Sequence, residues 1–340
     1  MHPPESLLSD WHLKARRLEN EIGKAVIGLE TAIHRIVVAI FARGHVMLEG
    51  DVGVGKTTLL RAVAHVLGGK YERIEGTIDL LPNDLVYHTY IGEDGKPRVD
   101  PGPLLKHGEA LSVFFFNEVN RARPQVHSLL LRVMAERSVS AFNRTYSFPY
   151  LQVFADRNRV EKEETFEMPS AARDRFLMEL RIELPDDPDL RTALMFDPRF
   201  HHVDELIAQL EAGVVPYREI DTVARLIQEQ VRASTALQRY ALSLWQATWN
   251  PAEFGVRLDD VDMGELIAAG ASARGMSMLL RAARVRAWLE GRDYLVPEDL
   301  QSLFHEVVGH RIFLQPMYEL QREQLIPRLT RAILDRVAAP

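Results

Sequence analysis

Short apolar segments alternate with longer stretches of helical spacing in the first half of the chain. Residues 58–67 and 124–136 carry apolar side chains at the spacing of an amphipathic helix. Short apolar segments flank these helical stretches and predict buried strands. They lie at residues 45–48, 113–116, 153–155 and 177–184. This alternation predicts an α/β fold in which helices cover a parallel sheet.

The pattern changes at residues 185–188, Pro-Asp-Asp-Pro, which disfavour both a helix and a central strand. We place a domain boundary there. Residues 1–184 are predicted to form an N-terminal helix and the α/β core, and residues 185–340 an all-helical C-terminal domain. A bundle of four or five helices accounts for the helical segments at 203–210, 217–231, 235–249, 276–290 and 297–307.

Two insertions in the first domain have the pattern of β-hairpins. In the first, strands at 86–91 and 96–99 flank Glu-Asp-Gly, and an Asp-Gly pair between alternating residues is a strong hairpin signal. In the second, strands at 138–142 and 145–148 flank Asn143 and Arg144, a weaker turn. An ordinary surface loop is the alternative for each.

Composition excludes several kinds of chemistry. The chain has 340 residues and no cysteine, so disulfides, thiolate metal sites and cysteine nucleophiles are excluded. A formal net charge of −7 argues against an electrostatic nucleic-acid binder, and no direct nucleic-acid partner is expected. The N-terminus lacks the order of a signal peptide and no apolar run has the length of a membrane span, so we expect a cytoplasmic protein.

Residues 50–57, Gly-Asp-Val-Gly-Val-Gly-Lys-Thr, match the phosphate-binding pattern G-x-x-x-x-G-K-[ST] between a predicted strand and a predicted helix. In such a loop the backbone N–H groups and the helix N-terminus bind phosphate, the lysine contacts the terminal phosphates and the hydroxyl ligates Mg²⁺. The pattern therefore predicts ATP and Mg²⁺ as cofactors, with Thr57 as a metal ligand. The phosphate-binding residues are predicted to be Gly50, Asp51, Val52, Gly53, Val54, Gly55, Lys56, Thr57 and Thr58.

A second candidate follows the apolar segment at 113–116, which ends in Asn117 and Glu118. In P-loop ATPases this position supplies an acidic pair to Mg²⁺ and to the attacking water. Glu118 can polarise water as a base, but Asn117 is a neutral metal ligand without the charge of a carboxylate. We therefore expect ATP binding with weakened turnover.

These residues resemble the MoxR family of AAA+ ATPases over roughly residues 27–314. The segment Val-Ile-Gly-Leu-Glu at 26–30 is similar to the family's V-x-G-Q-E, which implies that Ile27 and Gly28 lie beside the adenine. The chain departs from the family pattern at Asn117, Arg157 and Arg159. The motifs with counterparts in the same order are D-L-L-P-S-D at 79–84, P-G-P at 101–103, D-E-I-N-R-A at 117–122, V-I-A-T-Q-N-P at 153–159, L-D-R-F at 173–176, G-A-S-P-R at 270–274, G-R-D-Y at 291–294 and P-E-D at 297–299.

The resemblance implies further catalytic residues beside Glu118. Asn158 would be the sensor-1 residue that positions water near the γ-phosphate. Arg175 would be an arginine finger that reaches the neighbouring subunit's site, with Arg173 as its rival and a simple pairing with an acid as the alternative. Arg274 would touch the γ-phosphate from the helical lid.

The resemblance also gives the two hairpins a role, since family members carry hairpins inserted in the second helix and before sensor 1. Such hairpins face the pore of a ring or a partner. Tyr87, His88, Tyr90 and Ile91 are the candidate contact residues. Packing of the hairpin against its own domain is an equally supported alternative.

The function that the resemblance implies is that of a chaperone-like remodeller, a ring of six subunits that acts with a partner bearing a von Willebrand A domain. Residues 117–125 are most similar to the methanol-oxidation branch, which implies a role in maturing methanol dehydrogenase. Two alternatives stay open. One is a DNA-dependent AAA+ motor, and the other is a switch that binds ATP to assemble and hydrolyses little.

Overall fold

The structure, a computed structural model, describes residues 4–158 and 166–340. The chain forms two compact units. The α/β unit comprises Leu13–Arg175 and Leu180–Asp221, and the helical unit comprises the N-terminal segment to His12, Phe176–Glu179 and Thr222–Pro340. The domain boundary between residues 184 and 185 stays a prediction.

Strands and helices are numbered here in chain order. The strands are β1 His45–Glu49, β2 Lys70–Glu75, β3 Tyr87–Ile91, β4 Pro97–Pro101, β5 Leu111–Asn117, β6 Ser138–Ala141, β7 Arg144–Ser147, β8 Gln152–Arg157, β9 Phe176–Arg181, β10 Ile267–Ala269 and β11 Phe313–Leu314. The helices are α1 Pro4–Ala25, α2 Glu30–Phe41, α3 Lys56–Leu67, α4 Pro82–Val86, α5 Pro124–Glu136, α6 Ser170–Arg173, α7 Pro188–Phe196, α8 Val203–Ala208, α9 Ile220–Gln230, α10 Thr235–Trp249, α11 Ala273–Leu289, α12 Pro297–Val308, α13 Pro316–Glu319 and α14 Arg322–Arg336.

A five-stranded sheet with the order β2-β5-β8-β1-β9 forms the centre of the fold among the described residues. β2, β5, β8 and β1 are parallel to one another, and every residue of β5 is buried. The predicted strands at β1, β5, β8 and β9 and the parallel sheet are confirmed. Because the strands are parallel, the ends of β1, β5 and β8 lie at one edge, where ligands of open α/β sheets bind.

β2 was missed by the apolar pattern, for a physical reason. Its sequence, Lys-Tyr-Glu-Arg-Ile-Glu, is mainly charged. It lies at the edge of the sheet, where partly exposed positions accept polar side chains. A search for buried strands therefore passes over it.

In the C-terminal region, α10 has the predicted bounds, and α12 ends one residue later than predicted. The break at residues 185–188 is a helix start: α7 begins at Pro188, where proline is tolerated, and the Asp187 side chain accepts a hydrogen bond from Asp189 N at 2.8 Å. The prediction of an all-helical region was wrong in one detail, because β10 and β11 form a short antiparallel pair.

Both predicted hairpins are confirmed, β3 with β4 and β6 with β7. The second turn was predicted one residue too late. Ala141 pairs with Arg144, so the turn residues are Phe142 and Asn143, at φ 52° and 57°. Two consecutive left-handed residues make the turn that matches the twist of a two-residue hairpin, and this requirement overrides the usual preference of Phe.

Candidate functional site

The predicted phosphate-binding loop, which begins at Gly50, connects β1 to α3. Gly53 and Gly55 adopt left-handed φ values of 83° and 90°, which favour glycine. A Cβ atom at either position would meet nothing within 4 Å, so this side of the loop is open. By contrast, a Cβ at Gly50 would lie 2.3 Å from Ile182 O, so the start of the loop is pressed against the chain that follows β9.

Lys56 is the first residue of α3 and is buried. Its Nζ donates hydrogen bonds to Gly50 O, to Asp51 O at 3.3 Å and to Asn158 Oδ1 at 3.0 Å. The lysine thus lies inside the loop, beside the open N-terminus of a helix of twelve residues. A buried cation and a helix N-terminus together attract a phosphate anion.

The end of β5 carries Asn117, which is buried, and Glu118, which has a left-handed φ of 51°. This conformation is held from two sides. Glu118 N donates to Asp156 Oδ1 at 2.5 Å, and a Cβ at Gly76 would lie only 2.1 Å from Glu118 O. A non-glycine residue kept in this region is a strained feature of the kind that clusters at functional sites.

Asn158 connects the two halves of the site. Its Nδ2 donates to Glu118 Oε1 at 3.2 Å, while its Oδ1 accepts from Lys56. Arg121 Nη1 donates to the other carboxylate oxygen of Glu118 at 3.0 Å. Lys56, Asn158 and Glu118, which were each singled out from the sequence, therefore lie in one hydrogen-bonded cluster.

Asp156 also belongs to this cluster and was missed by the sequence analysis. It is buried on β8, and its Oδ2 lies 3.4 Å from Lys56 Nζ. Burial raises the pKa of this carboxyl, against the lowering effects of the Glu118 amide and the Lys56 ammonium. The signal in the sequence was present, since an aspartate stands at residue 156 where the family motif V-I-A-T-Q-N-P has threonine.

Arg157 and Arg159 are the other two residues of this segment that differ from the resembled motif. Arg157 Nη2 donates to Glu49 Oε2 at 2.9 Å, across the β1–β8 pair. Its guanidinium therefore pairs with a neighbouring strand. Arg159 lies outside the described residues.

The remaining residues of the predicted nucleotide site lie around the loop. Thr57 and Thr58 follow Lys56 in the first turn of α3, and Asp51 and Val52 are exposed at the loop tip. Val54 is buried.

Ile27 and Gly28 lie in the turn between α1 and α2, where both residues are half-buried. Gly28 has a left-handed φ of 75°, and a Cβ there would lie 2.5 Å from Pro185 Cβ. The predicted adenine-side turn is therefore in close contact with the segment that leads into α7.

The predicted arginine finger, Arg175, is half-buried after α6, and its Nη1 donates to Ala171 O at 2.8 Å. Among the described residues it forms no ion pair with an acid. The backbone that follows is fixed within the helical unit, because Arg311 donates to the carbonyl oxygens of Phe176 and Leu177. Arg173, the rival, ends α6. Arg274 is exposed in the first turn of α11, whose N-cap is Ser272.

The hairpin residues predicted to make contacts divide into two groups. The Tyr87 ring packs against the Phe142 ring of the second hairpin, with centroids 4.7 Å apart. His88, Tyr90 and Ile91 are exposed. The alternative of packing within the unit thus describes Tyr87, while the other three residues are accessible.

The site fits a magnesium nucleotide. The left-handed glycines leave the loop open, and Lys56 supplies a buried cation. Thr57 follows Lys56 in α3, Asp156 Oδ2 lies 3.4 Å from Lys56 Nζ, and Asn117 ends the strand next to β8. Their hydroxyl, carboxylate and amide oxygens are the hard ligands that Mg²⁺ prefers.

Two family models match the chain. The model of the ATPase family associated with various cellular activities (AAA) matches residues 45–178, and the model of the AAA lid domain matches residues 263–329. The chain thus has the organisation of a AAA ATPase, with a nucleotide-binding module followed by a lid.

The relatives narrow this class. The chain is 61% identical over 340 residues to Protein MoxR of Methylorubrum extorquens, with 100% of this chain and 99% of that protein covered. It is 53% identical to Protein MoxR of Paracoccus denitrificans, with 99% of each covered. It is 31% identical to Chaperone MoxR1 of Mycobacterium tuberculosis, with 99% of this chain and 85% of that protein covered. The chain belongs to the MoxR family of AAA ATPases.

A solved structure agrees with the fold. A Cytophaga hutchinsonii protein that carries an ATPase assignment superposes with a TM-score of 0.84 at 30% identity, over 99% of this chain and 98% of that one. In the part of this chain that the structure describes, none of the helices combines the length and apolarity needed to cross a membrane.

Proposed function

We propose that this chain is an ATP-hydrolysing, chaperone-like remodeller that works in the cytoplasm as a hexameric ring, with ATP and Mg²⁺ at each site. The observation that carries the proposal is the cluster in which Asn158 connects Lys56 Nζ to the Glu118 carboxylate beside the open phosphate loop. Phosphoryl transfer to water needs a cation for the phosphates, a base and a group that orients the water. This cluster contains one group of each type.

Within one subunit, the loop amides and Lys56 bind the phosphates, and Thr57 and Asn117 hold the metal. Glu118 accepts the proton of the attacking water at its carboxylate, which Arg121 and Asn158 orient at 3.0 and 3.2 Å. When bound, ATP would supply the phosphoryl group, and Mg²⁺ would supply positive charge that neutralises the phosphate oxygens during transfer.

A neighbouring subunit completes the site in this proposal. Arg175 donates to the phosphoryl group of the adjoining protomer, and the half-buried guanidinium, which forms no ion pair with an acid of the described segments, supports that role. Arg173 stays its rival. Arg274, at the start of α11, contacts the nucleotide from the lid and couples turnover to lid movement.

The pair Lys56→Ala and Glu118→Gln tests the site. Lys56→Ala removes the phosphate cation, so nucleotide affinity falls by about a hundredfold or more, while Glu118→Gln keeps affinity and lowers turnover by a similar factor. Fluorescent-nucleotide titration and phosphate release measure the two quantities. Unchanged affinity in Lys56→Ala contradicts the assigned phosphate site.

The client is proposed from the relatives and from the methanol-oxidation resemblance. We propose that the ring matures methanol dehydrogenase together with a von Willebrand A partner. In a methylotroph from which the gene is deleted, methanol dehydrogenase activity falls while the amount of enzyme polypeptide persists. Complementation with the wild-type chain restores activity, and complementation with Glu118→Gln does not. Full activity in the deletion strain refutes this client.

The neutral side chain of Asn117 favours a second candidate function, an ATP-binding switch. A strand end without a carboxylate at this position suits a switch that binds ATP to assemble and hydrolyses little. Steady-state phosphate release from the assembled ring separates the two functions, because the switch releases about one phosphate per site and then stops, whereas the remodeller turns over continuously.

A further inference from the structure

Asn117 lies between two strand ends that carry carboxylates. Glu75 of β2 pairs in register with Asn117, and on the other side β8 continues from the Phe116–Ala155 pair to Asp156. Neighbouring parallel strands bring these three side chains to the same edge of the sheet. The charge that Asn117 lacks therefore has two candidate sources nearby.

The two carboxylates differ in exposure and in partners. The Glu75 side chain is 58% exposed and pairs with Arg73 at 3.4 Å. The Asp156 side chain is 2% exposed, contacts Lys56 Nζ and accepts the Glu118 amide hydrogen. Of the two, Asp156 contacts both the phosphate-binding lysine and the base.

The Asp156 carboxylate has few donors of its own, so it can still bind a cation. A buried carboxylate is costly unless fixed donors match it, and Asp156 has one amide and a lysine that is shared with Gly50 O, Asp51 O and Asn158 Oδ1. That lysine is the group that the loop presents to phosphate. When phosphate binds Lys56, Asp156 Oδ2 stays buried at the end of β8, the strand next to the one that ends in Asn117.

We propose that Asp156, at the end of β8, supplies the metal-side carboxylate that Asn117 at the end of β5 lacks, and that the same side chain positions Glu118 through its backbone amide. This inference rests on the proposed binding of magnesium nucleotide. It makes Asp156 a specificity determinant for the metal form of the nucleotide.

The test is an equilibrium one that needs no turnover. The affinity for a fluorescent ADP analogue is measured in Mg²⁺ and in EDTA, and the ratio of the two gives the magnesium factor. Asp156→Asn keeps an acceptor for the Glu118 amide but removes the charge, so the magnesium factor falls by about tenfold or more while affinity in EDTA is kept. The double variant Asn117→Asp with Asp156→Asn returns the charge to β5 and restores the factor.

Glu75→Gln is the matched control, because it removes the carboxylate on the other side of Asn117, and its magnesium factor is expected to equal that of the wild type. A magnesium factor that survives Asp156→Asn, or that the double variant does not restore, overturns the inference. A wild-type chain that binds no nucleotide in either buffer refutes the proposed function itself, whereas wild-type binding with equal affinity in both buffers refutes only the role of Asp156.

A second variant keeps the test decisive if Asp156→Asn does not fold. In Asn117→Asp with Asp156 intact, the edge already has its carboxylate, so the magnesium factor rises by less than about threefold. A rise of about tenfold or more means that nothing supplied the charge before the change, and it overturns the inference.

Discussion

Each of the two units contains a fully buried aspartate, and the two carboxylates differ in how many donors surround them. Asp299, in the first turn of α12, receives hydrogen bonds from Arg286, from Arg292 at 2.6 and 2.7 Å and from Val296 N at 2.9 Å. Asp156, at the end of β8, receives one amide hydrogen bond and contacts one shared lysine.

We interpret this difference as that between a carboxylate that stabilises the fold, Asp299, and one that serves a ligand in our proposal, Asp156. The oxygens of Asp299 are saturated by donors on the same unit, and its hydrogen bonds raise the pKa of Arg292. Asp156 pays a desolvation cost that raises the pKa of its carboxyl. A buried carboxyl with a perturbed pKa and incomplete pairing is a candidate for a functional site.

The largest expected effect is on stability at Asp299. In Asp299→Asn, the buried carboxylate that pairs with the half-buried Arg286 and Arg292 loses its charge, so the free energy of unfolding falls by about 3 kcal/mol or more. Urea denaturation measures it. Glu298→Gln, the exposed neighbour in the same helical turn, is the control with an expected change below about 0.5 kcal/mol. Equal effects of the two variants would break the contrast.

The next largest effect is expected on turnover, at Gly76, which lies against the backbone carbonyl of Glu118. Gly76→Ala places a Cβ where Glu118 O now lies, 2.1 Å away, so the peptide must move and turnover falls by about tenfold to a hundredfold. Nucleotide affinity is expected to stay unchanged, as measured by titration beside phosphate release. Gly23→Ala, whose Cβ would meet nothing within 4 Å, is the control. A loss of affinity equal to the loss of turnover would place Gly76 in binding instead.

A smaller effect of opposite sign is expected for the free energy of unfolding at Asp156. Because the folded pKa of this carboxyl is raised, its ionised form opposes folding, and this penalty appears as the pH rises through the unfolded pKa towards the folded one. Asp156→Asn removes the penalty, so at pH 7 in EDTA the variant is more stable by about 1 kcal/mol. The gain disappears below the unfolded pKa of about 4.

Denaturation of Asp156→Asn and the wild type at both pH values measures this difference. Destabilisation of Asp156→Asn at pH 7 as large as that of Asp299→Asn would mean that both carboxylates are structural.

The smallest effect concerns His127, buried on α5, whose Nε2 donates to Val119 O at 2.7 Å. Burial lowers the pKa of this imidazole, against the raising effect of that hydrogen bond. The unfolded state therefore binds the extra proton first, and stability falls as the pH drops below about 6.5, by less than about 1.4 kcal/mol per pH unit.

His127→Gln, whose amide nitrogen can take the place of Nε2 as the donor to Val119 O, is expected to flatten this decline between about pH 6.5 and 5. Thermal denaturation across that range measures it, and the exposed His88→Gln is the control. An identical pH profile in His127→Gln and the wild type would contradict the assignment.

Local features of the sequence predicted much of the fold. The loop at residues 50–57, the buried β5 and both hairpins follow from spacing, glycine positions and apolar runs, which act over a few residues. The turn at Phe142 was misplaced, because twist matching between β6 and β7 decided it. β2 was missed, because only its place at the sheet edge explains its polar sequence.

The sequence by itself determined which groups this protein has for its chemistry: a lysine in a glycine loop, the carboxylate of Glu118 at a strand end and a neutral Asn117 where a carboxylate is expected. Only the tertiary structure decided which of them meet. Asp156 contacts Lys56 and Glu118 because the sheet order places β8 between β1 and β5, and that order is set by packing over distances in the chain that no local pattern spans.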